Sequence, residues 1–372
     1  MHNEFDLDPS LIYVNHAAVA PWPQRTVRAV QQFAEENGRV GSRHYQQWLA
    51  KEQQLKQALA ELIHAESADE IALLKNTSEG LSIIARGIDW QPHDNIVISN
   101  QEFPSNFIVW DALRAQGVEL RIADISGHQP EREMIELMDA NTRLLSVSAV
   151  QYASGLKMDL AQLGLACLAN NTLFCVDAIQ QLGALQFDVQ AIQADFVVAD
   201  GHKWMLGPEG LALFYCKQST MPQLALQQHG WHMVQDLSDF STMHDWQPAH
   251  SARRFECGSP NSLSIHALHA SLSLLLEIGM AQIEQQLLQH VQQLHSLFTE
   301  IPGVQILSPH QHARQSGIFS FNKQYTDPEA LYQFLLDKGV VCALRGGGIR
   351  FSPHFYNRRE QLELLAHWVR AF

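Results

Sequence analysis

The chain has 372 residues, with 25 Lys and Arg against 39 Asp and Glu, a formal charge of −14. That balance excludes a nucleic-acid or anionic-membrane surface, and no basic run contradicts it. Five cysteines without CxxC spacing read as free thiols in a reducing, cytoplasmic compartment, and the dispersed histidines show no metal-ligand spacing.

The length suits two or three domains, or one large and one small, with ample material for a core. The N-terminus lacks the basic and apolar regions of a signal peptide. No apolar run reaches the ~18 residues of a membrane span.

In chain order, Leu11–Val14 predicts a short strand entering Asn15-His16-Ala17-Ala18, where small residues suit either a close backbone approach to a ligand or an ordinary turn. From Gln24 to His64 the pattern is helical, with breaks predicted at Asn37-Gly38 and Gly41-Ser42. Leu81, Ile84, Ala85 and Ile88 have helical spacing, and Thr77 or Ser78 is a candidate N-cap. Such a helix start suits a phosphate, because its free N–H groups and positive dipole end attract anions.

Asn95–Ser99 predicts a strand ending at Glu102-Phe103-Pro104-Ser105-Asn106, with a helix to about Gln116. Val118–Ile122 and Leu144–Val150 predict further strands, the second running into Gln151, and Leu160 to Asn170 a short helix. Strands alternating with helices point to a mostly parallel sheet covered on both faces. Residues 218–251 lose periodicity and read as a partly ordered segment near an entrance or interface. A long helix follows from Ser262 to Glu300, bent near Gly279, and Val304 to Phe372 alternates short strands and helices.

Two stretches carry the chemistry. Leu173–Val176 runs into Asp177, and Phe196–Ala199 runs into Asp200-Gly201-His202-Lys203. Ligands of open α/β sheets bind beyond the carboxyl ends of the strands. A Lys and an Asp delivered there fit the two anchors of pyridoxal phosphate (PLP): a Schiff-base lysine and a carboxylate partner for the ring nitrogen.

Six motifs then carry a resemblance: Asn76-Thr77-Ser78-Glu79-Gly80, Glu102-Phe103-Pro104-Ser105-Asn106, Asp177-Ala178-Ile179-Gln180, Gly201-His202-Lys203-Trp204, Phe255–Asn261 and Ile349–Asn357. In this order they resemble the class V aminotransferase group of fold-type I PLP enzymes, which includes cysteine desulfurases and isopenicillin N epimerase-like proteins. The resemblance implies an α/β fold with a large PLP-binding domain (18–260), holding a mostly parallel, seven-stranded-type sheet, and a small α+β domain (1–17 and 261–372). It implies Lys203 as the Schiff-base residue, Asp177 on the ring nitrogen, and Gln180 and Gln151 on the ring hydroxyl. Thr77, Ser78 and His202 would hold the phosphate, Phe103 would stack on the ring, and Ser259 would reach the phosphate of a second subunit in a homodimer with shared sites. Arg350 would grip a substrate carboxylate, with Asn15 nearby.

Two departures from desulfurase-like relatives matter. Asp200 stands where they have a small hydroxyl residue, so it is expected to turn away from the phosphate or pair with another group. Arg345-Gly346-Gly347-Gly348-Ile349-Arg350 leaves almost no loop for a nucleophilic cysteine, and Cys342 lies in an apolar run before it. The sequence therefore favours transamination, epimerisation or elimination at an amino-acid-like Cα, with desulfuration ranked below. A nucleotide-dependent oxidoreductase is disfavoured because Gly346–Gly348 neither matches GxGxxG nor opens a helix. The intact Lys203, Asp177 and Arg350 disfavour a non-catalytic binding module.

Overall fold

A computed structural model describes residues 4–237 and 244–372; 238–243, within the aperiodic stretch 218–251, lie outside the described residues. The chain opens with a two-residue strand, β1 (Ile12–Tyr13), and two helices, α1 (Gln24–Val40) and α2 (Tyr45–Ile63). Then come β2 (Ile71–Leu74), α3 (Thr77–Gly87), β3 (Asn95–Ser99), α4 (Ser105–Asp111), β4 (Glu119–Ala123), α5 (Pro130–Glu136), β5 (Thr142–Ser148) and α6 (Leu160–Asn170). Strands β6 (Leu173–Asp177), β7 (Phe196–Asp200) and β8 (Ala212–Cys216) complete this part. Helices α7 (Ser262–Ile278) and α8 (Met280–Thr299) lead to β9 (Val304–Ile306), β10 (Phe319–Lys323), α9 (Pro328–Asp337), β11 (Val340–Val341), β12 (Ala343–Arg345), β13 (Gly348–Phe351) and α10 (Arg359–Ala371).

The central sheet has seven strands in the order β2-β8-β7-β6-β5-β3-β4. Strands β4, β3, β5, β6 and β7 pair in parallel, and β8 runs against both its neighbours. Strands β3, β6, β7 and β8 are buried at every position. Helices cover both faces, so these strands read as continuous apolar runs rather than alternating ones.

Helix α1 passes through Asn37-Gly38 without a break; the chain turns at Gly41, whose φ is +58°. A glycine inside a helix costs only ~1 kcal/mol, and the packing of α1 on α7 offsets it. Left-handed backbone, by contrast, ends the helix at Gly41. At the start of α3 the cap is Asn76, not Thr77 or Ser78: its side chain accepts from the Glu79 N–H at 2.9 Å.

The sheet separates two apolar cores. One holds Val147, Val176, Val197 and Leu213 under α2 and α7; the other holds Ile98, Cys175, Val198 and Phe214 under α3. Helix α7 lies past residue 261, yet its Ile265, Leu268 and Leu272 belong to the first core. Helix α8 bridges two cores: Ile283 and Leu287 join that one, while Leu294 and Phe298 join a third with Phe319, Phe321 and Phe351. The third core lies under a four-stranded sheet, β12-β13-β10-β9. Among the described residues no single helix is both long and apolar enough to cross a membrane; α7 and α8 meet both conditions only as a pair, which bends by 83°.

Candidate active site

The ends of three neighbouring strands meet at one point. Ser148 of β5 stands beside Asp177 of β6, and Asp177 beside Val198 of β7, which ends two residues later at Asp200. The turn after β7 carries His202, Lys203 and Trp204. It is pinned from below by Gly183, where an added Cβ would sit 2.3 Å from the Trp204 carbonyl oxygen. The start of α3 faces this rim from one side, and β13 delivers Arg350 from the other.

A cavity of about 310 Å³ opens there. It brings together seven expected residues: Lys203, Asp177, Thr77, Phe103, Gln180, His202 and Arg350. The Lys203 Nζ lies 5.6 Å from the centre of the Phe103 ring, which meets Tyr152 edge-on at 5.2 Å. Gln180 is fixed at both ends of its amide: Trp204 Nε1 donates to its oxygen at 2.9 Å, and its nitrogen donates to the Ala17 carbonyl at 3.0 Å. Each end keeps one further donor or acceptor position.

Burial dominates the electrostatics. It pushes the Asp177 carboxyl up to about 7, although the Lys203 ammonium and the Ile179 N–H both favour the anion. Burial lowers Lys203 to about 8 and His202 to about 4, so the His202 ring is neutral at neutral pH. Arg350 is 2% exposed, and burial with the nearby Arg345 charge lowers it to about 10, still cationic. Its Nη1 donates to the Tyr152 carbonyl at 2.7 Å, while its Nε is buried without a partner.

Four expected residues are not brought to the cavity lining. The Ser78 hydroxyl donates to Ser105 Oγ at 2.8 Å, and it is Ser105 that lines the cavity. Gln151 is wholly buried, its amide nitrogen donating to Glu102 at 3.2 Å and to Ser99 at 3.4 Å. Asn15 sits in a bridge to Ser352 behind the lining. Ser259 lines a different cavity with Gln228, His232 and Cys257, so within one chain it does not meet Lys203. That second cavity is also where part of the aperiodic segment packs.

Sequence reading missed Glu102. Its carboxylate accepts from Ser99 Oγ, Asn106 Nδ2, Ser148 N, Ser148 Oγ and Gln151 Nε2, tying the ends of β3 and β5 to α4. Ser99 and Asn106 lie three and four residues away, but Ser148 and Gln151 are remote in sequence. Asp200 resolves as pairing rather than turning away: its Oδ2 accepts from the Thr77 N–H at 3.3 Å. Away from the cavity, Glu52, His232 and Glu256 bring three potential metal ligands together. The Lys56 ammonium lies among them, 3.1 Å from Glu52 and 2.8 Å from Glu256, so the cluster is an ion-pair network.

The cavity fits PLP. A phosphate would find a helix N-terminus and the buried, unpartnered Nδ1 of His202. The ring would find Phe103 and the Asp177 carboxylate, and the aldehyde the Lys203 amine. A substrate carboxylate would find the unpartnered Nε of Arg350.

The family model for aminotransferase class-V matches residues 12–365. A protein named as a probable cysteine desulfurase from Methanothermobacter thermautotrophicus is 31% identical, over 95% of this chain and 92% of its own. Two solved structures share the fold. The apo cysteine desulfurase of Thermococcus onnurineus NA1 has a TM-score of 0.87 at 24% identity, covering 97% of this chain and 94% of that one. A variant of C-DES with glycine covalently linked to its PLP cofactor has a TM-score of 0.90 at 23% identity, covering 100% and 99%.

Proposed function

The chain belongs to the aminotransferase class-V family and is a PLP-dependent enzyme of fold type I, and on that premise we propose that it cleaves the carbon–sulfur bond of cysteine or a close derivative. The observation that carries the reading is the convergence of Lys203, Asp177 and Arg350 on one cavity, in a chain whose relatives are named cysteine desulfurases. Those relatives favour desulfuration over transamination and reverse the order of preference drawn from the sequence.

When bound, PLP supplies an electron sink for the pair left at the substrate Cα. The rest falls to the chain. Arg350 binds and orients the carboxylate; a planar guanidinium suits this bidentate task. Asp177, as an anion, holds the proton on the ring nitrogen. Lys203, with its amine lowered to about 8, is the base that moves the Cα proton. Phe103 and Tyr152 keep one wall of the cavity apolar.

The fate of the sulfur sets this chain apart. Cys167, Cys175, Cys216 and Cys342 are buried, and none of the five cysteines lines the cavity. The sulfur therefore passes to an external thiol, or leaves as sulfide. The Ser259 loop supports a homodimer, which light scattering of the active protein would test.

The experiment is to supply L-cysteine and L-cystine, with and without dithiothreitol, and to measure alanine, pyruvate and sulfide. Alanine with thiol-dependent sulfide supports desulfuration; pyruvate and ammonia support β-elimination. Oxo-acid-dependent turnover of other amino acids, with no sulfur released, returns the assignment to transamination.

A further inference from the structure

Asp200 stands at a place where an anion is costly. The residue is 8% exposed, and its carboxylate faces the start of α3, the same pole that suits the cofactor phosphate. Gly80 holds this arrangement tight: a Cβ there would lie 2.7 Å from Val198 Cγ1, so α3 sits directly on β7. Thr77 is the only hydrogen-bonding partner of the Asp200 side chain among the described residues, and no lysine or arginine lies within ion-pairing distance of it.

The charges that face Asp200 come from three places. Lys203 on its own turn attracts, Glu209 on the segment before β8 repels, and Asp177 of β6 is a second neighbouring carboxylate; α3 offers the Thr77 N–H. His202 is neutral. A phosphate monoester carries about −1.5 to −2 charges at pH 7. An ionised Asp200 and a bound phosphate would therefore oppose each other and compete for the same donors.

We propose that Asp200 completes the phosphate subsite as a carboxylic acid, so that cofactor binding takes up one proton from solvent. The proton adds to a carboxylate oxygen, which then donates to a phosphate oxygen; no other bond forms or breaks. Burial already pushes the Asp200 carboxyl up to about 6, toward the form this role requires. The inference rests on PLP as cofactor and not on the carbon–sulfur reading. Its consequence is cofactor affinity that falls as pH rises above about 6, because the free protein must gain a proton that solvent supplies less readily.

The test uses apoprotein and pyridoxamine 5′-phosphate, which cannot form an imine with Lys203 and so isolates the phosphate contribution. Titration calorimetry at pH 7.5 in two buffers of different ionisation heat counts the protons. Wild type should take up about one more proton than Asp200→Asn, and its affinity should fall by about tenfold more per pH unit between pH 6.5 and 8.5. Asp200→Ser, with a small hydroxyl, should bind with the weaker pH dependence of the Asn variant. Equal proton counts and slopes in wild type and Asp200→Asn would overturn the proposal. If neither variant folds, wild type decides it against unphosphorylated pyridoxamine: no additional proton taken up with the phosphate form overturns it. Absence of binding at every pH would instead strike at the cofactor assignment on which it rests.

Discussion

The Lys203 ammonium lies over the face of Phe103, 5.6 Å from the ring centre. Burial lowers this lysine to about 8, while the aromatic face favours its charged form by ~0.5–1 kcal/mol. Imine formation with PLP needs the free amine. Its rate should therefore rise about tenfold per pH unit below pH 8 and level off above it. Phe103→Ala should move the inflection down by roughly 0.4–0.7 unit, since 1.36 kcal/mol is one unit. Stopped-flow reconstitution of apoprotein across pH 6–10 reads both; an inflection near the ordinary lysine value would refute the burial argument.

Lys203→Ala should abolish the visible absorbance of lysine-bound cofactor while leaving the melting transition in place. The side chain ends in a cavity and carries no structural hydrogen bond among the described residues. A variant that keeps the band, and cofactor that borohydride fixes to the protein, would show that another residue holds PLP.

Asp177→Asn and Asp177→Ala should retain PLP but lose turnover. A neutral partner no longer holds the proton on the ring nitrogen, and an electrostatic loss of about 3–5 kcal/mol corresponds to roughly 10²–10⁴ in rate. The kcat of the purified variants settles this; near wild-type kcat in the Ala variant would defeat the assignment.

Stability should depend strongly on Lys56. Its ammonium is buried between Glu52 and Glu256, and Glu256 also accepts from the Leu73 N–H at 2.8 Å, linking α2 to the edge strand β2. Burial alone would raise Glu256; Lys56 and His232 outweigh it and hold the carboxyl below its usual range. That contribution is complete above the unfolded carboxyl pKa near 4.3 and is lost as pH falls through the lower folded value. Lys56→Met should cost about 3–5 kcal/mol at pH 7, because it strands a buried carboxylate. Urea melts should show the loss shrinking in the double variant with Glu256→Gln, where Glu52 alone is left without its cation.

The Asp177 and Lys203 pair was legible because each apolar run stops abruptly at polar residues, and the β6–β7 register makes those stops neighbours. The bend at Gly279 was legible for the same local reason. Gly38 misled because a glycine is only a weak helix breaker, and the packing of α1 on α7 is invisible to local pattern. The role of Glu102 was not legible: Ser148 and Gln151 at the end of β5 become its neighbours only through the parallel sheet. The same holds for α7, whose apolar residues give no sign of which core they join. Gln151 has its amide nitrogen committed to Glu102 and Ser99, while its Oε1 is buried without a partner.

Cys342 and Arg350 stand close in sequence and should behave oppositely. Cys342 is 2% exposed beside β11, among Phe319, Phe351 and Leu335 of the third core, and burial pushes its thiol up to about 12. A sulfur-accepting nucleophile needs an accessible thiolate. The following hairpin, β12 to β13, turns on Gly346 and Gly347 alone, both left-handed, so it carries no mobile loop that would bring the thiol over the site. Cys342→Ser should therefore leave activity on the best substrate within about twofold, with at most a modest loss of stability from placing a hydroxyl in a core. Arg350→Ala should raise KM sharply, because it removes a buried, cavity-lining guanidinium whose Nε has no partner. Losing a charge-assisted pair of roughly 1.5–3 kcal/mol corresponds to about 10–150-fold. Arg350→Lys should recover only part, since an ammonium cannot reproduce the planar fork. Both variants are assayed with cysteine and with the best amino acid of a substrate screen. Persulfide found on Cys342 in wild type, with sulfide release abolished in Cys342→Ser, would overturn the external-acceptor scheme.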